Sequence, residues 1–300
     1  MSTEDYGHVH PGLRESITLP ATDRVRVIQT PRWFGYPRAN EAIDKLEDLI
    51  GYPRGSRMPN LFIYGETNNG KTKIVEHFMR RHPANDNPHG EDAHVPLLNI
   101  QMPFAPDPRR FYRVILDQLF ATYRPSDTTA RLETQSMNIL RDCGIKMLII
   151  DELHNILSAR IDKQRQFLNL IRYIGNELQV PMVCVGIRDG LTALQHDKQL
   201  ENRFEPFHLP EWKDGEDYHQ VLHTFVKLMP LKKDSGLAYS DLAYDILYLS
   251  EGTIGEITDL IRRAAIYAVK SGREIIDETS LKNCGYIPPV KRKQLVQSSE

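Results

Sequence analysis

Cysteine is scarce in this chain of 300 residues: Cys143, Cys184 and Cys284 are three in number, and no two of them stand in C-x-x-C spacing. An odd, scattered set excludes a disulfide framework and a zinc knuckle. Cys143 and Cys184 lie in or beside apolar runs, so buried thiols in a reducing compartment are expected. The chain also lacks an apolar run near the ~20 residues that a bilayer-spanning helix needs. Its polar start, with Glu4, Asp5 and His8, has no apolar segment of the signal-peptide kind. The expectation is a protein that is neither exported nor membrane-bound. A charge excess is missing too: Lys plus Arg is 38 against 40 for Asp plus Glu, a net charge of -2. Any contact with nucleic acid must therefore come from a local patch rather than the whole surface. No internal repeat or low-complexity block is present.

What is there belongs to an ordinary globular protein, with 40% hydrophobic and 26% charged residues. The length allows a main domain with a smaller companion. Residues 1–38 carry Pro11, Pro20, Pro31 and Pro37 without sustained periodicity and read as an extended N-terminal arm. A first helix over Ala39–Ile50 puts Ala42, Ile43, Leu46 and Leu49 on one face and stops at Gly51-Tyr52-Pro53. Apolar runs at Asn60–Tyr64, Val95–Ile100, Lys146–Ile150 and Val180–Val185 read as buried strands. Helical stretches at Lys71–Arg81, Pro108–Tyr123, Thr134–Cys143 and Lys163–Leu178 separate them. This alternation predicts an α/β core over 39–210, a parallel sheet covered by helices on both faces. Beyond Pro210 only helical stretches follow, Gly215–Leu228, Ser240–Ser250 and Glu256–Ser271, which predicts a small helical domain over 211–286. Residues 287–300, with Lys291-Arg292-Lys293 after Pro288-Pro289, read as a solvated basic tail.

The strongest chemical signal is Gly65-Glu66-Thr67-Asn68-Asn69-Gly70-Lys71-Thr72, which fits G-x-x-x-x-G-K-[ST] between a predicted strand and a predicted helix. Gly65 and Gly70 let the backbone curl so that successive N–H groups and the helix N-terminus face phosphates. Lys71 adds a point charge on the β- and γ-phosphates of ATP, and Thr72 offers a hydroxyl to Mg2+. Residues Gly65 to Thr72, extended by Lys73, are the expected nucleotide contacts.

A second signal is Met147-Leu148-Ile149-Ile150-Asp151-Glu152, a buried strand that ends in two carboxylates. Neighbouring residues at a strand end point to different sides, so Asp151 can serve Mg2+ while Glu152 reaches the attacking water as general base. A carboxylate base here favours hydrolysis of ATP over transfer to a metabolite. The next strand ends Cys184-Val185-Gly186-Ile187-Arg188. AAA+ proteins usually place a water-orienting polar residue there, and either Arg188 substitutes for it or that function is weak. Leu200-Glu201-Asn202-Arg203-Phe204 resembles the segment that carries an arginine finger, the cation inserted into a neighbour's ATP site. For Arg203 the other reading is a salt bridge with Glu201 or Glu205. In Gly252-Thr253-Ile254-Gly255-Glu256-Ile257, Glu256 stands beside Gly255 where many AAA+ proteins have a phosphate-sensing arginine, which is thus missing or displaced to Arg262 or Arg263.

Taken together, these motifs resemble the TniB and TnsC group of transposon ATPases over about Pro31 to Ala268, nearer to TniB than to the B protein of phage Mu or the IstB-like helicase loaders. The resemblance implies an AAA+ P-loop ATPase with a helical lid. It further implies a DNA-binding regulator of the bacterial cytoplasm that assembles as a homo-oligomer, ring or filament, on duplex target DNA. Such a regulator recruits or activates a DDE transposase, works with a target-selection protein, and hydrolyses ATP to disassemble. In such proteins loops lining the filament interior face DNA. In this chain Arg109, Arg110 and Arg113, in and after a proline-rich loop, could grip phosphates without reading bases, or could coat an exposed helix. Rival functions for the same motifs are helicase loading and a nucleotide-gated scaffold with little hydrolysis.

Overall fold

Runs in which nearly every residue is apolar have no face to offer water, and in the computed structural model they become strands of one sheet. The structure describes residues 6–86, 93–104, 106–195, 200 and 202–297. The chain packs as two compact units: Met1–Pro37, Asn68–Gly70 and Glu211–Glu300 form one, Arg38–Thr67 and Lys71–Pro210 the other.

The strands are β1 (Asn60–Tyr64), β2 (Leu97–Gln101), β3 (Met147–Asp151), β4 (Met182–Gly186) and β5 (Phe204–His208). They pair in parallel in the order β2-β3-β4-β1-β5. Every residue of β3 and β4 is buried, as expected of a parallel sheet covered on both sides. The Asn60 side-chain oxygen accepts the Met182 N–H at 2.9 Å, which pins the start of β1 to the start of β4. One strand escapes the apolar-run criterion: in β5 only Phe204 and Phe207 are buried. Pro206 is tolerated within β5 because the strand pairs on one side only, at the sheet edge.

The first seven helices are α1 (Ala21–Gln29), α2 (Pro37–Ile50), α3 (Lys71–Arg81), α4 (Pro108–Gln118), α5 (Thr129–Asp142), α6 (Ile161–Leu178) and α7 (Arg188–Gln195), of which α2 to α6 were legible as helical stretches. Asp107 caps α4 by accepting the Arg110 N–H, and Pro108 takes the first turn, where its missing N–H costs nothing. Thr128 caps α5 in the same way through the Arg131 N–H. The apolar faces of α4, α5 and α6 close over the sheet, with Phe111, Ile115, Leu140, Phe167 and Ile171 all buried. Cys184 is buried in β4 as expected, whereas Cys143, for which burial was expected, and Cys284 are partly exposed; none of the three is in a disulfide.

In the other unit the helices are α1, α8 (Glu216–Lys227), α9 (Asp241–Leu249), α10 (Ile254–Lys270), α11 (Glu278–Asn283) and α12 (Pro289–Gln297). Two expectations are corrected here. Much of the 1–38 segment is helical: a 3-10 turn covers Pro11–Thr18 and α1 follows, because Pro11 and Pro20 sit at or just before helix starts, where proline promotes a helix. The segment 287–300 is not a bare tail, since α12 occupies most of it. Among the described residues no helix is long and apolar enough to cross a membrane.

Arg24 of α1 is 3% exposed. It donates to Glu274 Oε1 at 2.7 Å, to Glu274 Oε2 at 2.5 Å and to the Pro230 carbonyl at 2.7 Å. Burial alone would raise the Glu274 pKa, but the bonds from Arg24 outweigh it and hold the carboxyl below its ordinary value. This stabilisation is complete above the unfolded carboxyl's pKa and is lost as pH falls through the lower folded value. Replacing Arg24 by Met leaves a carboxylate that is only 12% exposed without its partner and is expected to cost about 3 kcal/mol, read as a lower midpoint in denaturant melts at neutral pH.

Candidate nucleotide site

Because β1 and β3 flank β4 and all three run in parallel, the loops leaving β1 and β3 emerge at the same end of the sheet. Open parallel sheets bind ligands at such a carboxyl end. The chain leaves β1 through Gly65 and bends with Asn68 at φ 63° and Gly70 at φ 82°, left-handed values that favour a residue without Cβ at position 70. It then starts α3 at Lys71, whose first-turn N–H groups have no intrahelical partner.

Lys71 is 7% exposed, and its Nζ donates to the carbonyls of Gly65 at 2.8 Å and Glu66 at 2.7 Å. Burial lowers its pKa, a pull that Glu152, Asp151 and Glu66 oppose. One turn position on, Thr72 Oγ1 donates to Asp151 Oδ2 at 3.0 Å. Asp151, 6% exposed at the end of β3, accepts the Glu152 N–H on its other oxygen at 2.8 Å. Glu152 itself is left-handed, φ 58° and ψ 39°, and its carboxylate is only partly buried. A hydroxyl and a carboxylate oxygen within bonding distance, beside an ammonium and a free helix N-terminus, fit Mg2+ and a phosphate chain. Mg2+ characteristically takes one or two carboxylates and fills its remaining positions with water and phosphate oxygens.

Gly65, Lys71, Thr72, Asp151 and Glu152 are thus brought together. Lys73 is not: it faces Glu76 on the surface of α3, at 2.7 Å. Glu66, Thr67 and Asn68 are exposed on the loop, and Asn69 is buried. Arg188 is exposed in the first turn of α7, so no side chain of β4 itself supplies a polar group at that strand's end.

Arg203 precedes β5 at the opposite end of the sheet from the phosphate loop, because Asn60, the first residue of β1, pairs with Phe204. Of the alternative salt bridges for Arg203, the one with Glu205 is not formed, and the one with Glu201 falls outside the described residues. Arg203 Nη1 bonds Asn176 Oδ1 at 2.7 Å, and Glu205 is taken by Lys45 at 2.7 Å. All three candidate DNA contacts are likewise engaged by backbone carbonyls. Arg109 and Arg113 both donate to the Pro125 carbonyl, at 2.8 and 2.6 Å, and hold the turn between α4 and α5, while the exposed Arg110 reaches the Phe104 carbonyl at 3.0 Å.

In the helical unit, Glu256 is 9% exposed and is clamped by Arg292 of α12, at 3.0 and 2.7 Å, and by the Tyr286 hydroxyl at 2.7 Å. Burial would raise its pKa, and these bonds more than reverse that. Arg263 is held by Asp259 at 2.8 Å. The sequence signal for Arg292 was a lysine-arginine cluster of the kind that is usually solvated.

A five-stranded parallel sheet in this order, helices on both faces, a phosphate loop after β1 and an Asp-Glu pair ending β3 define the AAA+ P-loop fold. Solved structures share it. The Cdc6p structure from Pyrobaculum aerophilum matches at TM-score 0.61 and 15% identity, covering 86% of this chain and 69% of that one. Drosophila ORC bound to DNA matches at TM-score 0.59 and 15% identity, covering 93% and 70%. The RuvB Holliday junction branch migration motor of Thermotoga maritima matches at TM-score 0.51 and 14% identity, covering 86% and 72%. No curated protein matches the sequence. The sequence model of the family described as "Bacterial TniB protein" matches residues 24–214, well over half of the chain, and the chain belongs to that TniB family.

The two arginines on Pro125 make a direct prediction. Arg113→Ala should raise amide exchange over residues 121–127 several-fold, whereas Arg110→Ala, which removes no bond to that turn, should leave it unchanged; hydrogen–deuterium exchange with mass spectrometry reads both.

Proposed function

We propose that this protein is an ATP-dependent regulator of DNA transposition that assembles as a homo-oligomer on duplex target DNA, recruits or activates a DDE transposase, and hydrolyses ATP to disassemble. The observation that carries the hydrolytic part is the contact between Thr72 and Asp151, with Lys71 beside it and Glu152 next in the chain. Membership of the TniB family supports the part that concerns transposition.

In this reading Lys71 and the first-turn N–H groups of α3 bind the β- and γ-phosphates, and Thr72 and Asp151 hold Mg2+. Bound Mg2+ supplies Lewis-acid neutralisation of phosphate charge. Glu152 takes the proton from the attacking water. Arg203 acts across a subunit boundary: the length of β1, at about 3.3 Å per residue, separates it from the phosphate loop of its own chain. Arg110, whose guanidinium is exposed, is the DNA contact best placed of the three arginines, and a target-selection protein is a further partner.

Assembly on duplex DNA of arbitrary sequence, followed by electron microscopy and salt-dependent binding with ATP, ADP or no nucleotide, tests the proposal. Oligomers that need ATP support it; absence of DNA binding in every state favours a scaffold or a helicase loader. Lys71→Ala should abolish ATP binding. Glu152→Gln should keep it while turnover falls by about 100-fold or more, trapping the DNA-bound assembly. Arg203→Ala should bind ATP without hydrolysing it, and mixing it with Lys71→Ala should restore part of the turnover, since each lacks a different half of a shared site. A mixture as inactive as its components would remove Arg203 from the finger role.

A further inference from the structure

Glu152 has a neighbour that the motif does not predict. The chain leaves β3 through Glu152 in a left-handed conformation and at once enters a 3-10 turn, Leu153–Ser158. That reversal brings His154 Nε2 to 3.2 Å from Glu152 Oε2. The contact is one of ion-pair distance, and because a carboxylate can only accept, Nε2 must carry a proton for the two to bond. The turn is itself anchored: the Asn155 N–H donates to the Glu152 carbonyl at 3.0 Å, and Asn155 Nδ2 donates to the Met102 carbonyl, also at 3.0 Å, just beyond β2.

The other side of the ring faces the end of β4. His154 Nδ1 is buried with no hydrogen-bond partner among the described residues, and it lies 3.5 Å from where a Cβ on Gly186 would stand. Gly186 and Ile187 have no polar side chain, and Arg188 is exposed on α7. The imidazole therefore fills, from the loop after β3, the polar position that β4 leaves empty.

We infer that His154 is the positioning residue for the Glu152 carboxylate. Its Nε2–H holds Oε2 and leaves Oε1 as the oxygen that takes the proton of the attacking water. No bond to His154 forms or breaks in the reaction; the proton passes from water to Glu152, and the hydroxide oxygen bonds the γ-phosphorus as the bond to the ADP oxygen breaks. This inference rests on the reading of Glu152 as base. Two oxygens of one carboxylate are equivalent until one is bonded, so the contact selects a single rotamer and one basic lone pair before the water arrives. Reduced freedom of a general base raises turnover without changing how tightly nucleotide binds.

The test is steady-state ATP hydrolysis by the full chain with duplex DNA, alongside binding of a fluorescent ATP analogue, for wild type, His154→Leu, His154→Gln, Glu152→Gln and the His154→Leu/Glu152→Gln pair. His154→Leu should lower kcat about tenfold or more with KM and analogue affinity within about twofold. His154→Gln, whose Nε2 can donate from nearly the same place, should recover most of the loss. The double variant should turn over no more slowly than Glu152→Gln alone, because the histidine acts only through that carboxylate. Wild-type or raised kcat in His154→Leu, while Glu152→Gln is inactive, overturns the positioning role and leaves Glu152 as base. Wild-type turnover in Glu152→Gln overturns both. If His154→Leu loses nucleotide affinity or its thermal transition, His154→Gln decides: a failure to recover kcat in that folded variant overturns the inference.

Discussion

The hydrogen bond between Thr72 and Asp151 joins two pieces of chain that are far apart in sequence and never paired as strands. It depends on β4 lying between β1 and β3 with all three in parallel, since only then do both loops leave at one end of the sheet. The continuous burial of β3 and β4 enforces that arrangement, because a strand apolar on both faces has no stable place except the sheet interior. A carboxylate as buried as Asp151 requires compensation, and it receives it from the Thr72 hydroxyl, the Glu152 N–H and the nearby Lys71 ammonium. Polar groups required for nucleotide chemistry thus sit at a boundary where the apolar core ends, already oriented by one another.

Orientation has a local cost at Glu152, whose left-handed backbone disfavours an L-residue by about 1–2 kcal/mol. The bonds made by Asn155 to the Glu152 and Met102 carbonyls, and by the Glu152 N–H to Asp151, offset that cost. Strain held at a functional residue is a common way to preorganise it. Here the same turn decides where His154 falls, so the geometry of the proposed base and of its neighbour have one origin.

The helical unit follows a different logic, in which bidentate ion pairs, one around the buried Arg24 and one reaching out to the exposed Arg292, fasten terminal segments. Arg24 ties α1 to Glu274, and Arg292 ties α12 to Glu256. Both pairs are bidentate, the geometry in which a planar guanidinium loses least on desolvation. The position beside Gly255 therefore holds a carboxylate already satisfied by its own unit. Glu256 is thus a structural anchor of its own unit.

The sequence by itself determined the class of the fold and the residues of the candidate nucleotide site that the fold brings together. The information lies in contiguous residues: apolar runs for β1, β3 and β4, Gly-rich spacing before Lys71, and Asp151-Glu152 at a strand end. Strand and helix bounds came within a few residues for the same reason. Tertiary structure alone decided what depends on partners distant in the chain. The edge strand β5 has only two buried residues and an internal proline, too little for a local signal. The helices before Pro37 begin at prolines that, read locally, suggest an extended segment. Nothing near Arg109 and Arg113 announces that the Pro125 carbonyl will take both. His154 and Arg292 look like any surface histidine and basic cluster until folding sets each beside a carboxylate. Periodicity and turn chemistry act over a few residues and can be read in order, whereas the pairing of one side chain with another is settled by the path of the backbone between them.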